Sequence, residues 1–432
     1  MDRSRPLRVR LDTLVGVRPL RVGVVGCGIA GPAAAILLAR AGHGVTVLER
    51  APVLQPVGAG LLVQPTGLSV LDRLGLLPRL LSLGSRIDRL DGRTRSGRRV
   101  LDLAYADLAP RHFGLGLHRG ALFGALLGGA MHAGAEIRVD CEVEKVTRSG
   151  GGVILIDATS RSHGPFDLVV VADGARSSLR HLVPWHRVRR YPWAALWFVA
   201  ERRDAKFDGT LSQVYDGTRR MIGFLPSGRA SEGRSATVSV FWSLPHDAHE
   251  SVRSAGLAAW KREAIGLAPQ AEGLVSQIRS FDECTFAAYY DSSMTPCFHR
   301  ELPIVFLGDA AHAMSPQLGQ GANLALVDAA ELADCLAEAS SITAAFRAYH
   351  ARRVGHVRYY SRASRWLTPW FQSNATFLSW PRDVLMHRLS RVEWVRRQML
   401  LSLAGVKEGL MSSRGVFGSP GVWSEAMQAD GS

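Results

Sequence analysis

RVGVVGCGIAGPAAAILLARAGHGVTVLER, residues 21–50, decides how this chain folds. Val22 to Val25 reads as a short buried strand. Gly26, Gly28 and Gly31 follow in a G-x-G-x-x-G spacing. An Ala- and Leu-rich helix comes next and stops at Ala41-Gly42. Val45 to Leu48 is a second strand, and Glu49 ends it 18 residues after Gly31, near the roughly 20 expected of an acid that holds ribose hydroxyls. Each glycine has its own task. Gly26 permits the tight turn, Gly28 lets backbone approach a pyrophosphate, and Gly31 lets helix and strand pack closely. Strand, glycines, helix, second strand and acid together predict a dinucleotide site.

Two more strand tips carry an acid. LGDAAHAMSPQLGQGANLALVDA, residues 307–329, runs from an apolar strand into Gly308-Asp309. A loop holding Pro316, Gly319 and Gly321 follows, then a strong helix. Glycine and proline bring backbone amides close to a flat ligand, and the helix aims its positive end at it. DLVVVADGARSSLR, residues 167–180, delivers Asp173-Gly174 in the same way.

The three segments, in this order, resemble the FAD-dependent aromatic hydroxylases, flavoprotein monooxygenases of the para-hydroxybenzoate hydroxylase type. GAGLLVQPTGLSVLDRLGL (58–76) and LHRGALFGALL (117–127) also match, and the resemblance spans roughly residues 20–370. It implies an α/β fold: a Rossmann-like FAD-binding domain in three ββα layers, an inserted antiparallel-sheet substrate domain, and C-terminal helices. It implies FAD contacts at Gly26, Gly28, Ala30, Gly31, Glu49, Arg50, Gly60, Arg119, Val143, Asp173, Gly174, Gly308, Asp309, Pro316, Gly319, Gln320, Gly321, Ala322 and Asn323. No second nucleotide fingerprint is present, so the resemblance implies NADPH or NADH as a transient donor. Oxygen would then add to the reduced flavin at carbon 4a, and the hydroperoxide would pass one oxygen to an electron-rich substrate. The helix start at Gly319 to Asn323 suits negative charge on the pyrimidine end of the flavin.

Composition agrees with a globular enzyme: 432 residues, 47% hydrophobic and 21% charged. No apolar run reaches the ~18 residues of a membrane span. Five scattered cysteines without a CxxC argue against a disulfide framework or a zinc site and for the cytoplasm. The net charge of +14 comes largely from arginine, and no nucleic-acid motif accompanies it.

The expected organisation is an extension at 1–19, an FAD-binding domain at 20–185 and 300–370, a substrate-binding sheet domain at 186–299, helices at 371–415 and a tail at 416–432. Strands are expected at 193–201, 211–217, 219–228, 236–244 and 284–290, and one helix at 249–267. Pro369 and Pro381 are expected to break the C-terminal region into short helices. Its aromatic and leucine positions, Trp366, Phe377, Trp380 and Trp394 among them, are expected to pack on the FAD domain, with membrane contact as the other reading. Arg352 and Arg353 read as a solvated face.

The residue that activates the substrate is not identified. Pocket candidates are Gln213, Tyr215, Phe224, Trp242 and Pro316, with His118, Arg219 and Arg220 also considered. Trp197, Phe198, Met221 and Phe241 offer further apolar surface, but alternation puts only some side chains on the pocket face. His312 reads as structural. The substrate class is a bulky aromatic or polyketide-like molecule, and the chain a monomer or homodimer. A flavin-dependent halogenase or a non-catalytic FAD-binding protein are the rival readings. The former would want a Trp-x-Trp-x-Ile-Pro segment, and Trp193 and Trp197 lack that spacing.

Overall fold

A computed structural model describes residues 18–55 and 59–413. Most of the expected N-terminal extension, the whole 416–432 tail and Gly58 lie outside the described residues. Strands Ile304–Phe306, Leu168–Val171, Arg21–Val25, Gly44–Leu48 and Glu136–Arg138 form, in that order, a five-stranded sheet. All its pairings are parallel. Val24 faces the helix Ala30–Arg40, since a Cβ on Gly31 would lie 3.4 Å from it. Gly23, one residue earlier, faces the other way. A Cβ there would lie 2.7 Å from the Phe166 ring, which belongs to a three-stranded antiparallel sheet of residues 143–149, 152–157 and 162–166. Period-two alternation thus builds three layers, helix, sheet and sheet, around one apolar core.

The helix Ala30–Arg40 ends as its sequence demands. Gly42 takes φ +87° and donates to the Ala39 carbonyl at 2.9 Å, and His43 donates to Leu38 at 3.1 Å.

The larger sheet has nine strands. All five strands expected between 186 and 299 are present, as His186–Glu201, Gly209–Asp216, Arg220–Gly228, Thr237–Pro245 and Thr285–Met294. The sheet is not confined to them. Gly209–Asp216 pairs in parallel with Ser85–Thr94, which brings in Leu61–Val63, Arg99–Ala104 and Gly114–Leu117. The expected helix at 249–267 is two, His249–Ala255 and Leu257–Leu267, because Gly256 at φ +88° turns the chain between them. They cover one face of the sheet, where Trp260 packs edge-on against Trp242 and Phe198.

The prolines break less than expected. Ile342–Phe371 is one helix of 30 residues with Pro369 in its last turn, and Pro381 lies in the first turn of Ser379–Leu389, where its missing N–H has no helical partner to lose. The packing expectation also needs correction. Leu400, Leu403 and Phe371 are buried, but Trp366, Phe377, Trp380, Leu385, Leu389 and Trp394 are exposed.

Candidate active site and cofactor cleft

The first turn is built as the glycines dictate. Gly26 holds φ +102°, and a Cβ on Gly31 would lie 2.0 Å from the Gly26 carbonyl oxygen. A Cβ on Gly28 would meet nothing within 4 Å, so this backbone faces open space. Glu49 accepts from the Cys27 amide at 2.7 Å and from the Ala51 amide at 3.0 Å. Its carboxylate therefore pins the glycine loop to the second strand. Arg50 is exposed beside it, and Ala30 is buried as the first residue of the helix. Val143 begins its strand, and its carbonyl accepts from the Ser178 hydroxyl at 3.2 Å.

The two other acid tips are locked together by Arg180, whose role went unassigned in the sequence. Its Nη2 donates to the carbonyls of Gly174 at 2.9 Å and Asp309 at 2.8 Å, and its Nε to Ala310 at 2.8 Å. Asp173 keeps one buried oxygen, Oδ1, without a partner. Burial pushes the Asp173 carboxyl up against the opposing pull of Ser177 and Arg180. Asp309 is open to the cleft, and the desolvating walls around it raise its carboxyl, while His312, Arg119 and Arg180 work against that. Arg119, also open to the cleft, is lowered by the same walls and held up by Asp309.

His312 is structural, as expected. Its Nε2 lies 2.6 Å from Asp328 Oδ2, which also accepts from the Gly308 amide at 2.7 Å. Arg353 completes this hub, donating to Asp328 Oδ1 at 2.7 Å while fully enclosed. The solvated-face reading of Arg353 is thereby corrected. Arg352 is partly exposed and pairs with Glu331 and Glu338.

At the loop, Gly319 adopts φ +62° and opens the helix Gly321–Glu338, which has no side-chain cap. Its first amides are thus available to a ligand. The side chains of Gln320 and Asn323 have other tasks. Asn323 accepts from the Gln64 amide at 2.8 Å and donates to Gly319 at 3.0 Å, and Gln320 donates to Leu403 at 2.8 Å. These two tie the loop to neighbouring segments, leaving only backbone for cofactor contact. Gly60 donates to the Ser239 hydroxyl at 2.6 Å, and a Cβ there would lie 2.1 Å from the Ser227 hydroxyl.

A cavity of about 1440 Å³ joins this loop to the large sheet. Arg119, Asp309, Pro316, Gly319, Gly321 and Ala322 line one end. Gln213, Tyr215, Trp197, Met221, Phe241 and Tyr289 line the other. The C-terminal helices close it through Leu367, Phe371, Met399 and Leu403. The helices expected to pack on the FAD domain, or to touch a membrane, are a wall of the site.

Strand parity corrects the other candidates. Phe241 pairs with Gly223, where a Cβ would lie 1.9 Å from the ring, so the missing side chain lets Phe241 lie across the strand and meet Trp197 at 4.8 Å. Their neighbours Trp242, Phe224 and Phe198 therefore face the opposite side, in the core with Trp260 and Phe207. Phe224 and Trp242 are not pocket residues. His118 caps the helix Arg119–His132, accepting from the Gly120 amide at 3.1 Å. Arg219 is exposed, and Arg220 pairs with Glu263 at 3.1 Å.

Two tyrosines supply the polar handles of the wall. Tyr215 donates to Gln213 Oε1 at 2.5 Å, and Arg382 lies 4.9 Å from its ring centre. Tyr289, which sequence reasoning missed, accepts from Trp197 Nε1 at 3.1 Å, leaving its own proton for another acceptor. Burial pushes both phenols up, so both are neutral donors at pH 7. Thr285, Ala287 and Tyr289 line the cavity at every second position, a spacing visible in sequence without saying which face it occupies.

Among the described residues Cys141, Asp157 and His163 cluster as metal-ligating types. Asp157 is already saturated by Thr159, Arg161 and His163, so the cluster reads as a hairpin lock.

The residues fit an FAD. Gly28 leaves room for a diphosphate, Asp173 offers an unsatisfied acceptor, Asp309 faces the cleft beside Arg119, and the uncapped helix at Gly321 points at the cavity.

Comparison with known proteins agrees. The FAD binding domain family matches residues 20–363. The 3-amino-4-hydroxybenzoate 2-monooxygenase of Streptomyces platensis is 30% identical, over 80% of this chain and 87% of its own. The 6-hydroxynicotinate 3-monooxygenase of Bordetella bronchiseptica is 27% identical, over 80% of this chain and 92% of its own. Klebsiella pneumoniae HpxO, solved with FAD and uric acid, shares the fold with a TM-score of 0.74 at 21% identity, over 88% of this chain and 97% of its own. The chain belongs to the FAD-dependent aromatic hydroxylase family and is an FAD-dependent monooxygenase.

Proposed function

We propose that this enzyme uses NADPH or NADH and dioxygen to hydroxylate, or epoxidise, a bulky and largely apolar aromatic small molecule in degradative or secondary metabolism. The cavity carries this reading. Its volume of about 1440 Å³ exceeds the roughly 300–1,000 Å³ of single-ligand pockets, which leaves room for a flavin ring and a substrate together. The relatives named for 6-hydroxynicotinate and 3-amino-4-hydroxybenzoate support an electron-rich ring as the target.

FAD, when bound, supplies the redox chemistry and the activation of oxygen. The chain's residues do the rest. In this reading residues 20–185 and 300–370 hold the cofactor, with Gly28 beside the diphosphate, Glu49 at the ribose, and Asp173 and Asp309 accepting from hydroxyls. Residues 186–299 supply the substrate wall. Trp197, Phe241 and Met221 exclude water and flank the ring. Gln213 and the Tyr289 hydroxyl orient a substrate oxygen or nitrogen. The uncapped amides from Gly321 stabilise negative charge nearby.

The test is NAD(P)H oxidation and oxygen uptake against a panel of hydroxylated aromatics and heteroaromatics, with mass spectrometry of the products. The expected result is a gain of one oxygen atom, labelled when ¹⁸O₂ is supplied. Label from water, or turnover that requires halide, would overturn the reading.

A further inference from the structure

We propose that the mouth of the cavity docks on an anionic membrane surface and receives its substrate from there. Three exposed apolar side chains from three separate segments, Trp366, Trp394 and Leu410, also line the cavity. They are 69%, 57% and 83% exposed, so each belongs to the cavity wall and to the outer surface at once. Arg358 and Arg362, on successive turns of the helix Ile342–Phe371, line the same cavity. Among the described residues neither has an acidic partner, whereas Arg365, in the next turn, is held by Asp291.

The surroundings point the same way. Among the described residues, nine of the fourteen exposed large hydrophobic side chains fall between residues 366 and 411, a concentration that scattered surface residues do not explain. Of the eight arginines in residues 358–397, Arg382 is buried against Asp383, and Arg365 and Arg396 are held by Asp291 and Asp107, which leaves Arg358, Arg362, Arg388, Arg391 and Arg397 beside Glu393 and, at the cavity, Glu408. Tryptophan favours the headgroup layer and guanidinium pairs with lipid phosphate, so this rim matches an anionic interface in both respects. No described helix is long and apolar enough to cross a membrane, which makes the contact one that lies on the surface. A protein partner would seal the opening, whereas a bilayer also dissolves apolar molecules. The substrate route rests on the proposed function; the docking does not and is tested without substrate.

The experiment is flotation of the FAD-loaded full-length enzyme with vesicles of phosphatidylglycerol and phosphatidylcholine, and with phosphatidylcholine alone. FAD content and thermal melting serve as fold controls for the variants. Binding to the anionic vesicles is expected, weakened at least about tenfold by R358E/R362E and by high salt, and about tenfold by W366S/W394S. No binding to anionic vesicles, or equal binding by wild type and both folded variants, overturns the proposal. Concentration-dependent self-association that W366S/W394S abolishes, without vesicle binding, would make a second copy the occupant. Absence of both, with the rim tryptophans shielded from acrylamide quenching, would assign the rim to residues 414–432. Either outcome overturns it.

Discussion

Arg180 Nε donates to the carbonyl oxygen of Ala310 at 2.8 Å, across 130 residues of sequence. With its contacts to Gly174 and Asp309, it makes two acid-bearing strand tips one rigid unit. Arg180→Met is expected to destabilise the protein by roughly 3 kcal/mol, because buried carbonyls lose charge-assisted donors. FAD affinity should fall with it. Urea unfolding and FAD titration measure the two losses, and a variant as stable as wild type would remove this role.

Asp309→Ala should keep the fold and weaken FAD binding by about 10- to 100-fold, the worth of one charge-assisted hydrogen bond of roughly 1.5–3 kcal/mol. The pH dependence has a definite sign. The desolvating walls of the cleft raise the Asp309 carboxyl although it is open to solvent, so the ionised acceptor is lost as pH falls, and sooner than for an ordinary aspartate near 3.9. The wild-type affinity should decline on mild acidification, and the alanine variant should lack that part of the decline.

Gly28 and Gly31 should respond differently. Valine at 28 meets no protein atom within 4 Å of its Cβ, so the chain should fold and fail to retain FAD. Valine at 31 would drive its Cβ to 2.0 Å from the Gly26 carbonyl, so folding itself should suffer. Circular dichroism and the flavin absorbance of purified protein separate the two.

Trp242→Ala should cost about 3–5 kcal/mol of stability, as for a large aromatic removed from a core, and leave the coupling of reductant use to product unchanged. Tyr289→Phe should behave in the opposite sense. It keeps FAD, but a cavity hydroxyl is gone, so NAD(P)H oxidation should exceed product formation. Peroxide release against hydroxylated product provides the measure, and tight coupling in the phenylalanine variant would exclude Tyr289 from substrate positioning.

Asp328→Asn should destabilise by about 3–5 kcal/mol, since the Arg353 guanidinium would be left buried and charged without its counter-charge. Burial alone would raise the Asp328 carboxyl, but His312, Arg353 and the Gly308 amide outweigh it and hold it well below the usual range. A depressed carboxyl contributes stability above its unfolded value near 3.9 and loses it as pH falls towards the folded one. Acid unfolding of the wild type should therefore be steeper than that of the asparagine variant.

What the sequence determined by itself was local. Gly26, Gly28, Gly31 and Glu49 specify their turn within thirty residues, because backbone sterics and the two-strand pairing leave little choice. The acid tips at Asp173 and Asp309, the five strands of 186–299 and the structural role of His312 were legible for the same reason. Only the tertiary structure decided which way each strand faces. Trp242 and Phe241 are adjacent and equally aromatic, and a shift of one residue exchanges wall for core. Gly223, on the next strand, made room for Phe241, a contact that no pattern within either strand reveals. Arg353 read as a solvated face, Arg180 had no assigned role and Gln320 was expected to touch FAD, until chain distant in sequence brought them buried partners. The exposed rim of Trp366, Trp394 and Leu410 exists only because three segments meet at one opening. Turn chemistry acts over a few residues and survives in sequence, whereas side-chain facing depends on register and packing between segments far apart.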